Sequence, residues 1–272
     1  MQQTTQLLII DPQNDFCDFA PRAGQVPALQ VAGAHADMQR LARWMDRQAA
    51  RLDRITITLD SHQAYDIAHP AFWRQRGGAA VAPFTAISAA QVRAGDYLPR
   101  NAAVLPHTLA YLDALQAQGR YQLMVWPLHC EIGSWGHGVH ADVLAASRRW
   151  QEQRQRAVRH VFKGMNPWTE HYSAVRAEVP DPQDAGTDVN QALLAGLRES
   201  SLLVIAGEAG SHCVRATTEH IVQYWGLPDL SRIVLLADCM SPVAGFEAAQ
   251  DAFFSRMREL GVRCENSAAF DL

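Results

Sequence analysis

Residues 202–217 read LLVIAGEAGSHCVRAT: an unbroken apolar run, a turn of small residues, and the start of an apolar-periodic stretch that continues to Trp225. The run is rich in Leu, Val and Ile without alternation, which is how a strand buried on both faces reads. The segment therefore predicts strand, tight turn and helix in direct succession. Similar apolar runs recur as LLII (7–10) ending in Asp11, ITITL (55–59) ending in Asp60, and RIVLLAD (232–238) ending in Asp238. Helical spacing connects them: residues 28–49, with Val31, Met38, Leu41, Trp44 and Met45 on one face, then Val189–Leu197, Cys213–Trp225, and Glu247–Leu260 before a helix-stopping Gly261. Strands alternating with helices predict an α/β fold with a mostly parallel sheet. Ligands of such sheets gather beyond the carboxyl ends of the strands, so Asp11, Asp60 and the segment after Gly207 are expected along one edge.

Two stretches break the alternation. Residues 74–120 carry Gly77, Gly78, Pro83, Pro99 and Pro106 without a dominant period, and residues 179–187 (VPDPQDAGT) read as an exposed loop. With no low-complexity linker and no repeat, both are expected as insertions in one domain spanning 1–272.

Composition narrows the function. The 272 residues hold 24 Lys and Arg against 28 Asp and Glu, a net charge of −4, so no basic surplus is present to neutralise nucleic-acid phosphates. Five cysteines, Cys17, Cys130, Cys213, Cys239 and Cys264, are odd in number and show no C-x-x-C spacing, which argues against a disulfide framework. The opening MQQTTQLLIID lacks a basic region, and no run approaches the roughly 18 apolar residues of a membrane span, so a cytoplasmic protein without membrane contact is expected.

Three places could carry chemistry. Cys213 stands at the expected start of a helix, where unpaired N–H groups and the helix dipole favour a thiolate, and Ala209, Gly210 and Ser211 let backbone amides approach a substrate oxygen. The other four cysteines have no such setting and read as small buried hydrophobes. Asp60-Ser61-His62, with His69 seven residues on, combines the carboxylate and imidazole ligands of a borderline divalent metal, and His129 in WPLHC supplies another imidazole. Taken singly, Asp11 at a strand end reads as a cap and Lys163 in VFKGMNP as a solvated charge.

In combination these segments resemble a known family. Asp11-Pro12-Gln13-Asn14-Asp15-Phe16 is similar to the D-x-Q-N-D-F opening of the nicotinamidase and isochorismatase-like cysteine hydrolases. Asp60-Ser61-His62 with His69, and Trp126-Pro127-Leu128-His129-Cys130, resemble the metal motifs of its nicotinamidase branch. Lys163-Gly164 resembles the catalytic lysine, and Gly207 to Val214 resembles the G-x-A-x-x-x-C-V nucleophile loop.

The resemblance implies a Rossmann-like α/β/α isochorismatase-like hydrolase fold with an Asp11, Lys163 and Cys213 triad. It implies an oxyanion hole from the Ala209 and Cys213 N–H groups and a cis Glu208-Ala209 bond. Asp60, His62 and His129 match the metal ligands, with His69 as a further ligand or as outer support. The ion implied is zinc, with iron or manganese as alternatives. Phe16 and Trp126 match the walls that sandwich a flat substrate ring. Isochorismatases lack the metal ligands, so the metal motif implies a ring-bearing amide: nicotinamide, hydrolysed to nicotinic acid and ammonia through a Cys213 thioester, in a homo-oligomer. The alternatives are a relative acting on another small amide, imide or carbamoyl compound, or a non-catalytic metal- or ligand-binding protein. Glu208, in place of the family's small apolar residue, the long 74–120 insertion, His137 and His140, and Trp168, Glu170, His171 and Tyr172 after the lysine are departures that bear on the substrate.

Overall fold

A computed structural model describes residues 4–22, 24–226 and 228–272. In chain order its elements are β1 (Thr5–Ile10), α1 (Ala34–Gln48), β2 (Arg54–Asp60), β3 (Trp73–Gln75), β4 (Thr85–Ile87), α2 (Ala89–Arg93), β5 (Tyr97–Pro99), α3 (Leu105–Gln118) and β6 (Leu123–Val125). They continue with α4 (Ala141–Arg154), β7 (Arg159–Lys163), α5 (Gln191–Arg198), β8 (Leu202–Gly207), α6 (Cys213–Tyr224), β9 (Ile233–Leu236), α7 (Glu247–Glu259) and β10 (Arg263–Glu265).

Six strands form a parallel sheet in the order β10-β9-β8-β1-β2-β7. The chain steps from β1 to β2 to β7 in one direction and from β8 to β9 to β10 in the other. Right-handed crossovers then place α1 and α4 on one face and α5, α6 and α7 on the opposite one. The packing of α1 against α4 agrees. The direction of winding reverses between β1 and β8, and the crevice at that switch point is where such sheets bind ligands. Gly207 ends β8 there at φ +127°, and a Cβ on it would stand 2.0 Å from the Ile10 carbonyl oxygen. Only glycine lets the two strand ends come this close.

The expected strands and helices are present with trimmed ends. The first helix starts at Ala34, six residues later than its apolar spacing suggests. Leu29 and Val31 instead donate to the Asp15 and Phe16 carbonyls, and Gly33 turns at φ +94° before the helix begins. The run at 232–238 is a strand only over Ile233–Leu236, and Asp238 accepts from the Ser267 amide and hydroxyl.

The aperiodic region 74–120 is ordered. Strands β3 and β5 pair antiparallel, as do β4 and β6, and α2 and α3 pack between them around a hydrophobic cluster of their own that includes Phe72, Trp73, Ile87, Tyr111, Leu112, Leu115 and Val125. Each of those strands has three residues, too few to show a period. Helix α2 is held by a Ser88–Gln91 capping box, while α3 begins with Pro106 in its first turn and stops at left-handed Gly119. Residues 179–187 form a loop with one 3-10 turn; it is only partly exposed, and Thr187 is buried.

Candidate active site

Asp11 follows β1, Asp60 and Lys163 are the last residues of β2 and β7, and Cys213 is the first residue of α6. The parallel sheet thus delivers all four to its carboxyl edge. Lys163 joins them: its Nζ lies 3.0 Å from Asp11 Oδ2, 2.9 Å from Asp60 Oδ1 and 3.6 Å from Cys213 Sγ, and donates to the His171 carbonyl at 2.9 Å. All four side chains are buried.

Burial determines the charge states. It opposes the Lys163 ammonium, but the Asp11 and Asp60 carboxylates outweigh it and hold the lysine charged. Asp11 is raised above the usual carboxylate value by burial, against the pull of Lys163 and of the Thr58 hydroxyl, which donates to its Oδ1 at 2.5 Å. Cys213 departs from its sequence reading. Burial pushes its thiol well up, Lys163 opposes this, and Asp11 and Asp60 add to the rise. A helix N-terminus and one cation do not outweigh a dry site holding two carboxylates, so the resting sulfur is a thiol.

Around Cys213 the nucleophile loop offers donors. The Glu208–Ala209 peptide is cis. The Ala209 carbonyl accepts from the His212 and Val214 amides, while the Ala209 and Cys213 N–H groups donate to no acceptor among the described residues. A developing oxyanion beside Sγ would find these two groups free.

On the far side of Lys163 lie the imidazoles. His62, His69 and His129 place ring nitrogens within 4.8 Å of one another, and Asp60 borders them, 3.2 Å from His62 Nε2 and 3.5 Å from His129 Nε2. Each ring has a nitrogen set against an outer partner: His62 Nδ1 lies 3.1 Å from Asp66, His69 Nδ1 3.3 Å from the Gln63 carbonyl, and His129 Nδ1 2.8 Å from the Pro127 carbonyl, though this last nitrogen also meets His69 Nε2 at 3.3 Å. That arrangement turns the remaining nitrogens inward, as outer partners do for metal-bound histidines. The buried His62 Nε2 has no hydrogen-bond partner among the described residues. Three imidazoles and a carboxylate suit a borderline divalent cation.

The D-x-Q-N-D-F residues brace the two sides. Gln13 accepts from the Asp60 amide at 2.7 Å and donates to its carbonyl at 2.8 Å, and Asp15 accepts from the Cys130 amide at 2.7 Å. Gly164 turns at φ +78° beside Asp60, where a Cβ would stand 2.9 Å from Oδ1.

Phe16 and Trp126 are both buried in the wall of a narrow pocket that is also lined by Asp60, His129, Ala209 and Cys213. Four residues shape the site beyond those matched to the family motifs: Tyr172 and Glu170, expected from sequence to bear on the substrate, and His212 and Asp66, which sequence reasoning missed. Trp126 Nε1 donates to the Tyr172 hydroxyl at 3.1 Å, and His212 adds an edge to the same wall. Glu170 lines the pocket with Oε2 unpartnered, and burial raises its carboxyl to about 7. Asp66 orients His62. His137 and His140 stand apart from the imidazole cluster: His137 pairs with Ser61 Oγ, and His140 caps α4 and meets His35.

No family model matches the sequence, and no curated protein matches it. Solved structures do. A nicotinamidase/pyrazinamidase from Acinetobacter baumanii is 18% identical, with 98% of each chain covered and a TM-score of 0.64. The yeast nicotinamidase bound to the inhibitor nicotinaldehyde is 17% identical over 97% of this chain and 100% of its own, at 0.65. The Pyrococcus horikoshii pyrazinamidase in complex with zinc is 16% identical over 96% and 98%, at 0.54. The fold is that of the nicotinamidases. The match covers nearly the whole chain, residues 74–120 included.

Proposed function

We propose that this chain is a metal-assisted cysteine amidohydrolase that converts nicotinamide and water to nicotinic acid and ammonia. The observation that carries the proposal is the reach of Lys163 Nζ to Asp11, Asp60 and Cys213 at once, with the imidazole cluster on its other side. The nicotinamidase fold supports it.

In the proposed reaction the Cys213 S–H gives its proton to Asp11 as sulfur adds to the amide carbon, so no standing thiolate is required. The Ala209 and Cys213 N–H groups receive the oxyanion. Asp11 passes the proton to the amide nitrogen, the C–N bond breaks and ammonia leaves. Water then adds to the thioester, giving a proton to Asp11; the C–S bond breaks and Asp11 restores the thiol. Throughout, Lys163 stays charged and favours the ionised form of Asp11 against burial and the neighbouring Asp60. Asp60, His62 and His129, with His69 beside them, would hold a divalent metal, zinc being the ion bound in the P. horikoshii relative. Bound there, it would take the pyridine nitrogen, directly or through a water, and orient the ring. Phe16 and Trp126 would flank that ring.

One observation favours a second substrate reading. The unpartnered Glu170 Oε2 in the pocket wall would suit a small amide, imide or carbamoyl compound with an extra hydrogen-bond donor. Turnover of a panel of pyridine amides and such compounds, followed by ammonia release for the amides and carbamoyl compounds and by product mass for the imides, decides between them. Release from nicotinamide that vanishes in Cys213→Ala is expected; no release from any pyridine amide overturns the substrate assignment.

A further inference from the structure

Glu208 is fully buried, yet it takes no part in lining the pocket. Its carboxyl turns away from Cys213 toward the chain that follows β9. There Oε2 accepts from the Ser241 amide at 3.1 Å, and Oε1 accepts from no donor among the described residues. Ser241 is a junction. Its carbonyl accepts from Gly210 N at 2.8 Å, and its hydroxyl donates at 2.5 Å to Oδ2 of Asp37, a buried residue of α1. Two residues on, Val243 N donates to Ser211 Oγ at 3.0 Å. Residues 241–243 are thus stitched to the nucleophile loop on one side and to α1 on the other.

The charges at this junction do not balance. Glu208 and Asp37 are both buried carboxyls, and the residues after β1 add Asp18 and Cys17. Arg40, on α1, is the cation that faces them; it pairs with Asp37 and gives its Nε to the Asp238 carbonyl. From the β9 side Cys239 adds a buried thiol and Asp238 is taken up by Ser267. Ser241 donates to both carboxyls at once, through its amide to Glu208 and its hydroxyl to Asp37, so they are neighbours. Two adjacent buried carboxylates against one half-exposed guanidinium cannot both stay ionised at low cost, and a proton between them removes the conflict.

We propose that Glu208 and Asp37 hold one proton between them, Glu208 donating to Asp37, and that this clasp positions the nucleophile loop from behind. Glu208 is then a positioning residue for the Ala209 and Cys213 amides. Burial, with the Asp37 charge, pushes its carboxyl well above a free glutamate's 4.5, against the Ser241 amide. Above pH 4.5 the unfolded chain loses this proton while the folded one keeps it. Stability from the clasp is therefore full below that pH and is lost as pH rises toward the folded value.

The kinetic part rests on the proposed hydrolase reading; the stability part does not. The experiment measures thermal unfolding of the full chain from pH 5 to 9 for the native protein, Glu208→Gln and Asp37→Asn. The native Tm is expected to fall with rising pH relative to Glu208→Gln, whose amide can donate to Asp37 without titrating, and Asp37→Asn is expected to shrink the same slope from the α1 side. Parallel Tm curves for the native protein and both variants overturn the shared proton, whatever the substrate. In turnover, Glu208→Ala is expected to lower kcat about 100-fold with little change in KM, as a displaced loop would. Recovery of most of that loss in Glu208→Gln supports positioning; a native kcat in Glu208→Ala overturns it.

Discussion

Lys163 divides one buried cleft into two unlike halves. On its Asp11 and Cys213 side every group stands at the end of a strand or the start of the helix that follows β8, fixed by the sheet itself. On its imidazole side Asp60 alone belongs to a strand; His62 and His69 lie in the loop after β2, and His129 in the segment after β6. Sheet ends position atoms rigidly, which suits proton transfer and bond formation. The loop-borne rings need outer partners to aim them, which Asp66 and the Pro127 and Gln63 carbonyls provide. The division implies that one half reacts and the other orients.

That implication can be broken at four points. Cys213→Ala should lower turnover of nicotinamide by about 10⁴-fold or more while leaving metal content intact, read by ammonia release and by elemental analysis. A fall below about tenfold would mean that the sulfur is not the nucleophile. Stripping the metal with a chelator should cost about 100-fold on nicotinamide yet spare benzamide, which lacks the ring nitrogen. Equal losses on both amides would make the imidazole half part of the chemistry and erase the distinction. Asp66→Asn should weaken metal affinity about 10–100-fold with kcat recovered at saturating metal, measured by competition with a metal indicator.

The smallest effect concerns pH. Asp11 must be ionised to take the Cys213 proton, and its pKa lies above the ordinary 3.8, so kcat/KM should fall as pH drops through that raised value. Thr58 donates to the charged form. Thr58→Val removes that donor, raises Asp11 further, and should move the acid limb to higher pH by about half a unit to one unit, with about 1–3 kcal/mol lost from stability. An acid limb that stays in place would show that another group sets it.

Much of the candidate site was legible in sequence because its residues stand where patterns change. Asp11 and Asp60 close apolar runs and Cys213 opens a helix, so their convergence follows from a parallel sheet, whereas Lys163 follows only two apolar residues and was picked out by the resemblance to a family rather than by any pattern. Glu170, Tyr172 and His212 follow no such rule, and only the packing of the pocket wall makes them neighbours of Trp126 and Cys213. Asp66 lies four residues after His62, but in a loop that spacing carries no facing relation. The region 74–120 was illegible as structure for a different reason: its three-residue strands are held by a cluster assembled from distant residues, Phe72 to Val125.

The amino-acid sequence by itself determined the α/β layering, the sheet edge at which the site forms and the residue types gathered there, since these depend on local apolar runs and where they end. Tertiary structure decided the charge on each of those residues. Whether Cys213 rests as a thiol, whether Lys163 keeps its proton and whether Glu208 and Asp37 share one depend on burial and on which charges lie within a few ångströms, and both are properties of the folded chain.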